Sequence, residues 1–303
     1  MPIILTVILI IVSVLVFLTL LLGFCLSVYS MGIRRQTLEE ARRWQEDHYD
    51  LSWYDPLEKT DYTVESYDGY QLHVQRLKNP APTDRYVLIS HGYTDNRFGS
   101  LKYTRMYLDL GFHVILYDLR GHGMNDKTFC TYSIRESRDL DILIRDCRSR
   151  YPEASVFGLQ GESLGSATSI AVLKYSPAID FVVADCGFSE ITSVMKAGLR
   201  GMHLPDRLVH VASVCSKILY GFYYHEMRPI DSLPNNRIPI LFIHGEKDDF
   251  ILPSHSRAMS EATGGYSELR IIPEATHAAS ALTDPDGYRK YVEGFLKKLD
   301  LLN

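Results

Sequence analysis

The chain has 303 residues, of which 32 are basic and 37 acidic, so its formal net charge is −5. Because the two signs are spread along the chain without a basic block or stripe, nucleic acid is excluded as a partner. Once an apolar N-terminal segment is set aside, about 250 residues remain, enough for one large domain with a single core. The five cysteines form no CxxC pair and no Cys/His cluster, which predicts buried thiols in a reducing compartment and no metal site: Cys25, Cys130, Cys147, Cys186 and Cys215.

The N-terminal segment contains no charged residue and no histidine from Ile3 to Ser30. As a helix it would be about 40 Å long, against about 30 Å for the hydrocarbon core of a bilayer. A cleaved signal peptide is the rival interpretation, but it requires a basic n-region, a shorter apolar run and a small-residue cleavage site. The sequence therefore predicts a transmembrane anchor over residues 1–33.

Basic residues directly after this segment set its expected orientation. Four arginines follow the apolar run and only the terminal amine precedes it: Arg34, Arg35, Arg42 and Arg43. By the positive-inside rule, we expect a single-pass protein of the cell membrane with its C-terminal domain in the cytoplasm. Residues 34–60 are interpreted as a solvated juxtamembrane spacer. Within it, 37–48 is predicted as a polar helix with Thr37 as N-cap and an ion pair between Glu39 and Arg43.

Residues 61–303 alternate between apolar runs and amphipathic segments. A hairpin is predicted first, with strands 62–66 and 71–78 around the turn residues Asp68-Gly69. The later strands are predicted at 86–90, 113–117, 154–159, 181–184, 239–243 and 268–272, and the helices at 99–110, 134–150, 163–175, 254–262 and 285–299. This alternation predicts an α/β fold with a mainly parallel sheet and helices on both faces.

The alternation breaks between residues 187 and 236, where the sequence has no clear strand. We interpret this segment as a cap inserted over the carboxyl edge of the sheet, where ligands bind in open α/β folds. The alternative is an ordinary pair of packing helices. An aromatic cluster in this segment is predicted to line a substrate pocket: Tyr220, Phe222, Tyr223 and Tyr224.

A Gly-x-Ser-x-Gly motif at 161–165 lies between a predicted strand and a predicted helix, the context of a nucleophile elbow. The motif predicts Ser163 as a nucleophile lifted clear of the sheet at a helix N-terminus. A serine hydroxyl needs a base oriented by a carboxylate, and in this arrangement the chain order is serine, acid, histidine.

His277 follows the last predicted strand and is predicted as the base, whereas His244 and His255 are interpreted as structural. The carboxylate that orients His277 is expected in the loop after the preceding predicted strand, 239–243. Asp248 in Gly-x-x-Asp is the first choice there, and Asp249 is the alternative. Two backbone N–H groups should stabilise an oxyanion. We assign them to Leu164, directly after the nucleophile, and to Tyr93, and interpret the His91 side chain as structural.

Five motifs together resemble the α/β-hydrolases: Ser90-His91-Gly92-Tyr93, Tyr117-Asp118-x-Arg120-Gly121-His122-Gly123, the Gly-x-Ser-x-Gly, His244-Gly245-x-x-Asp248, and the late His277. The resemblance covers about residues 62–299. Within the superfamily the chain is most similar to bacterial membrane-anchored hydrolases grouped with serine aminopeptidase-like and BEM46-like proteins.

This resemblance implies a carboxylesterase- or lipase-like serine hydrolase that cleaves the carboxylic ester of a small-molecule acyl substrate, without metal or organic cofactor. An amidase or peptidase, a thioesterase and an acyltransferase would use the same acyl-enzyme and stay open. A non-catalytic binding module is the alternative of another class. It would have no need to retain serine, acid, histidine and oxyanion loop together.

Overall fold

The computed structural model describes residues 2–302, which divide into two compact units. The larger unit consists of residues 33–190 and 228–302, and the smaller unit of residues 2–32 and 191–227. The predicted triad residues and oxyanion donors all belong to the larger unit.

The larger unit is built on one eight-stranded sheet with the order β1-β2-β4-β3-β5-β6-β7-β8. The strands β3 to β8 are parallel to one another, whereas β2 is antiparallel to both β1 and β4. Their bounds are β1 Lys59–Glu65, β2 Gln71–Leu77, β3 Arg85–Ser90, β4 His113–Tyr117, β5 Val156–Glu162, β6 Phe181–Asp185, β7 Ile240–Gly245 and β8 Ser267–Ile272.

Helices separate the parallel strands along the chain. Because the two faces of the sheet are covered, β4, β6 and β7 are buried at every position, which explains their uninterrupted apolar runs. The helices of this unit are α2 Leu38–His48, α3 Leu101–Asp109, α4 Ile134–Arg150, α5 Leu164–Ala171, α8 Ser254–Ala262, α9 Ser280–Thr283 and α10 Pro285–Lys298. Short 3₁₀ turns at Arg97–Ser100, Val172–Tyr175 and Pro229–Ser232 complete it. The predicted α/β fold is confirmed.

The segment 34–60 differs from the predicted solvated spacer. Thr37 does cap α2, and Arg43 does pair with Glu39 at 2.8 Å. However, one face of α2 is buried in the larger unit, where the Gln45 side-chain amide donates to the Gly99 carbonyl at 3.2 Å and Ala41 is 2% exposed. The polar composition concealed this face, because the buried Gln45 adds no apolar residue to the helical pattern from which burial is predicted.

The smaller unit contains α1 Pro2–Met31, α6 Ile191–Gly201, α7 Leu208–Tyr220 and a 3₁₀ turn at Tyr224–Glu226. No strand occurs among its described residues, as the sequence indicated for this segment. Its inserted part spans 191–227, shorter at both ends than the predicted 187–236. The helix α1 packs on α7, where Gly23 lets the two backbones approach: a Cβ there would lie 2.5 Å from Cγ1 of Val211. A role of the insertion as a cap over the sheet stays a prediction.

Candidate active site

Ser163 stands on a sharp turn between β5 and α5. Its backbone has φ 52° and ψ −112°, a conformation in which a residue other than glycine is strained. Glycines at both sides make the turn sterically possible. A methyl group on Gly161 would collide with the carbonyl of Gly165, and one on Gly165 would collide with the carbonyl of Ser90. The predicted nucleophile elbow is therefore present as a backbone conformation.

Ser163, His277 and Asp248 form one hydrogen-bonded chain. The Oγ of Ser163 lies 3.0 Å from Nε2 of His277, and Nδ1 of His277 lies 2.7 Å from Oδ2 of Asp248. The three residues come from the turn after β5, the loop after β8 and the loop after β7, all at the carboxyl edge of the sheet. The distances suit transfer of the Ser163 proton to His277.

Asp248 is held as an anion. Burial alone would raise the pKa of this carboxyl, but hydrogen bonds from His244 and His277 hold the pKa well below its usual range. The other oxygen, Oδ1, accepts the backbone N–H groups of Phe250 at 3.1 Å and Ile251 at 2.9 Å. A carboxylate with these donors stays charged and keeps the His277 ring in one orientation.

The structure distinguishes Asp248 and His277 from the other carboxylate and histidines considered for the triad. Asp249 is exposed, whereas Asp248 is 2% exposed and contacts His277. His244 is buried: its Nδ1 lies 2.7 Å from Oγ of Ser256, and its Nε2 lies 2.7 Å from the Ile251 carbonyl and 3.2 Å from Oδ2 of Asp248, so it holds the loop that carries the acid. His255 lies with Nδ1 2.8 Å from the hydroxyl of Ser189, away from the serine–histidine pair.

The two predicted oxyanion donors, Leu164 and Tyr93, both belong to segments next to Ser163. Leu164 is the first residue of α5, and its amide follows the nucleophile directly. Tyr93 lines the cavity beside Ser163, in a loop so close that a Cβ on Gly92 would lie 3.7 Å from Cβ of Ser163. His91 fixes this loop from behind, since its Nδ1 donates to the Gly92 carbonyl and its Nε2 accepts the Leu119 N–H. Burial lowers the pKa of His91 to about 4, which keeps the ring neutral in this role.

Comparison with known proteins shows the family of the chain. The chain is 30% identical over 285 residues to the uncharacterized protein YqkD of Bacillus subtilis (strain 168), an alignment that covers 92% of this chain and 93% of YqkD. The family model Hydrolase_4, described as serine aminopeptidase S33, matches residues 81–204. The chain belongs to the α/β-hydrolase superfamily.

Solved structures share the fold of this α/β-hydrolase. The esterase Pf2001 of Pyrococcus furiosus superposes with a TM-score of 0.70 at 21% identity, over 88% of this chain and 98% of the esterase. The acylaminoacyl peptidase of Pyrococcus horikoshii superposes with a TM-score of 0.62 at 15% identity, over 82% of this chain and 42% of the peptidase. At these identities the likeness concerns the fold.

A cavity of about 400 Å³ opens at Ser163 and His277 in this α/β-hydrolase. Its wall is mixed in character, with the Trp44 indole and the Leu282 side chain beside three charged groups, Asp95, Lys102 and Glu162. The contribution of Trp44 follows from the burial of α2 and was missed by the sequence analysis.

The four aromatic residues predicted as pocket lining belong to the smaller unit, where Tyr224 is buried and its hydroxyl lies 2.5 Å from that of Ser30. Their contact with a substrate stays a prediction.

Charged side chains beneath the nucleophile form a buried network that the sequence analysis also missed. Lys102 forms an ion pair with Glu162, the residue before Ser163, and donates to the Ala278 carbonyl at 3.2 Å, next to His277. The hydroxyl of Tyr103 lies 2.5 Å from a carboxyl oxygen of Glu162 and 3.0 Å from one of Asp185. One side chain, Lys102, thus joins the elbow to the loop of the histidine. The available signal in the sequence was Glu162, a charged residue at the end of the largely buried strand β5.

The motif at 117–123 does not line the cavity, but its charged side chains form ion pairs near it. Arg120 is fully buried and forms ion pairs with Asp139 at 2.5 Å and with Asp68 at 2.9 Å, which ties the β1–β2 hairpin to α4. Asp118 pairs with Arg97 at 2.6 Å, next to the loop that carries Tyr93. These pairs fix the loops that surround the cavity.

Cys186, Asp248 and His277 have potential ligand atoms within 4.8 Å of one another. The site nevertheless does not suit a metal ion. Burial raises the pKa of the Cys186 thiol well above its usual value, so the thiolate that a metal requires is disfavoured. Asp248 and His277 are bonded to each other, and the other nitrogen of His277 faces Ser163.

Proposed function

We propose that this α/β-hydrolase cleaves carboxylic esters through an acyl-enzyme on Ser163. The observation that carries the proposal is the continuous chain from Ser163 through His277 to Asp248, with distances of 3.0 and 2.7 Å. Supporting it, the serine sits on a strained turn that exposes its hydroxyl to a cavity large enough for a small ester.

The reaction follows from the roles of these atoms. His277 accepts the hydroxyl proton while Oγ of Ser163 attacks the ester carbonyl, and Asp248 stabilises the imidazolium that forms. The oxyanion is met by the N–H groups of Leu164 and Tyr93, each contributing about 3 kcal/mol. The tetrahedral intermediate collapses, and His277 gives its proton to the leaving alcohol. Water, deprotonated by His277, then attacks the acyl group and releases the acid and the free serine.

A fluorophosphonate probe tests the nucleophile, because only an activated serine reacts with it. We expect labelling of the natural chain and none of Ser163→Ala, whose ester turnover should fall by up to about 10⁶-fold while its melting temperature is kept. Ser166→Ala is the matched control, since Ser166 lies one helical turn further in α5 and outside the triad. A well-folded Ser163→Ala protein that retains labelling or most of its activity would contradict the proposal.

An aminopeptidase is the second candidate, favoured by the carboxylate of Asp95 in the cavity wall, since Lys102 already pairs with the neighbouring Glu162. A free amino group on the substrate would be attracted there. Matched substrates decide between the two: p-nitrophenyl butyrate against alanine p-nitroanilide with a free or an acetylated amine. The ester proposal requires turnover of the butyrate. Turnover of the free-amine anilide alone would assign the site to a peptidase.

We further propose that α1 anchors the chain in a membrane. The helical segment Ile3–Met31 is long and apolar enough to cross a bilayer, with a mean hydropathy of 3.3. Every side chain from residue 3 to 21 is exposed, and the hydroxyl of Thr19 donates to the carbonyl of Leu15 at 2.8 Å. A helix with this surface is stable when lipid surrounds it. The anchor is tested together with the next inference.

A further inference from the structure

The helix α7 of the smaller unit has one packed face and one exposed apolar face. The packed face holds Val209, Ala212, Ser213 and Ser216. The other face exposes Val214 and Ile218, with Leu219 beside them. Ile218 is 77% exposed, more than any other large apolar side chain of residues 32–302. A helix facing water normally carries polar residues at such positions.

The helix α1 changes character along its length. Residues 3–21 are exposed throughout, and from residue 22 onward one stripe is buried or half-buried: Leu22, Gly23, Leu26, Ser27, Ser30 and Met31. The exposed part has a length of about 28 Å, which matches the hydrocarbon thickness of about 30 Å. The packed part of α1 therefore begins where the hydrocarbon core would end.

The contacts between α1 and α7 show that the two helices run antiparallel. Gly23 faces Val211, whereas the carbonyl of Leu20, one turn earlier in α1, lies 4.0 Å from Sγ of Cys215, one turn later in α7. Continuing α7 beyond Cys215 therefore leads back along α1. Ile218 lies about 4.5 Å further on, level with Phe17 and thus within the exposed part of α1.

From this packing we infer that the last turn of α7 enters the acyl-chain region of the same bilayer, with Ile218 at its tip. The expected depth, about 5 to 10 Å, is that of an amphipathic helix at a membrane surface. The inference rests on the proposed anchoring of α1 and is independent of the chemistry at Ser163.

The charges of the smaller unit fit an anionic lipid surface. Residues 191–227 contain four basic side chains, Lys196, Arg200, Arg207 and Lys217, against two acidic ones, Asp206 and Glu226. The acidic excess of the chain therefore belongs entirely to the larger unit. Arg207 and His210 lie at the end of α7 that is level with the packed part of α1, where lipid headgroups would be. Lys217, nearer the tip, is neutralised by Glu226 at 3.3 Å.

The test uses the full chain reconstituted in vesicles of phosphatidylcholine with a quarter of phosphatidylglycerol, with and without bromine on the acyl chains. Tryptophan is introduced singly as Phe17→Trp, Ile218→Trp or His210→Trp. All three positions are exposed, so the substitutions leave the packing intact. The unsubstituted chain gives the contribution of Trp44 and Trp53. His210 is the matched control, on the same face of α7 two turns before Ile218.

We expect Phe17→Trp and Ile218→Trp to lose their added fluorescence in brominated vesicles and to emit at shorter wavelength, and His210→Trp to be quenched far less. Quenching at residue 17 without quenching at 218 would overturn the inference and leave the anchor standing. No quenching at residue 17 would overturn the anchor and the inference with it. Equal quenching of His210→Trp and Ile218→Trp would contradict the inference that residue 218 lies deeper in the bilayer than residue 210. A shift of the Ile218→Trp emission to shorter wavelength without quenching would overturn the inference and indicate that another copy of the chain covers the exposed face of α7.

Discussion

Asp248 and Asp249 are adjacent carboxylates with opposite surroundings. Asp248 is buried and accepts hydrogen bonds from His277 and from the backbone of Phe250 and Ile251. Asp249 is exposed. Only the first is placed to hold the base in one tautomer, although both have the same charge and nearly the same position in the chain.

We expect Asp248→Asn to lower kcat for an ester by a factor on the order of 10⁴, because the amide stabilises the wrong tautomer of His277. Asp249→Asn, the matched control, should change kcat little. Steady-state kinetics with p-nitrophenyl butyrate and circular dichroism of both variants measure this. A larger loss for Asp249→Asn would transfer the role of the acid to that residue.

Asp95 gives the site a pH-dependent stability. Burial raises the pKa of this carboxyl to about 6, and the nearby Glu162 acts in the same direction. In the unfolded chain the group ionises near pH 4. Between these values the folded chain holds a proton that the unfolded chain has lost, so Asp95 makes the protein less stable as the pH rises from about 4 to 6.

The variant Asp95→Asn should therefore gain stability relative to the natural chain as the pH rises through this window, by on the order of 3 kcal/mol at pH 7. Urea unfolding of both proteins at pH 4, 5, 6 and 7 gives the difference directly. A difference in the free energy of unfolding that is constant over this range would show that Asp95 has an ordinary pKa.

At the scale of elements, Lys102 on α3 connects two loops that the sheet alone does not fix relative to each other. It is bonded to Glu162 at the end of β5 and to the carbonyl of Ala278 before α9. Both charges are buried, with side chains 5% and 7% exposed. Removal of one partner would leave the other as an unpaired buried charge.

Lys102→Met is expected to destabilise the chain by about 3 to 5 kcal/mol, because Glu162 loses its counter-ion. Adding Glu162→Gln should recover a large part of this loss, since the uncharged amide needs no counter-ion. Urea denaturation of the single and the double variant measures the recovery. If the double variant is less stable than Lys102→Met, the ion pair is not the source of the cost.

At the scale of the whole molecule, the arginines that follow α1 predict the side of the membrane on which the larger unit lies. Arg34, Arg35, Arg42 and Arg43 all lie within 12 residues of the last residue of α1. The side with more basic residues close to a span stays in the cytoplasm.

Protease added to intact cells should therefore leave the larger unit undigested, and permeabilisation should make it accessible. A periplasmic or secreted marker protein that is digested without permeabilisation shows that the protease is active. Digestion of the larger unit in intact cells would reverse the orientation and leave the anchor itself unaffected.

The sequence by itself determined the α/β fold, the elbow at Ser163 and the order of the triad. These features have local causes: buried parallel strands require apolar runs, and the tight turn at Ser163 requires Gly161 and Gly165. His277 and Asp248 could be chosen because each follows a strand whose carboxyl end lies at the same edge of the sheet. Helix limits such as Ile134–Arg150 were also predicted correctly, because amphipathic spacing is a local signal.

Only the tertiary structure decided which polar residues are buried and what they contact. The burial of α2, the ion pair between Lys102 and Glu162, and the placement of Trp44 in the cavity wall depend on contacts between segments far apart in the chain. No periodicity reports such contacts, because a charged or amide side chain is buried only when a partner elsewhere in the fold replaces its water. For the same reason the pairing of α1 with α7 appeared only in the folded chain, where Gly23 meets Val211.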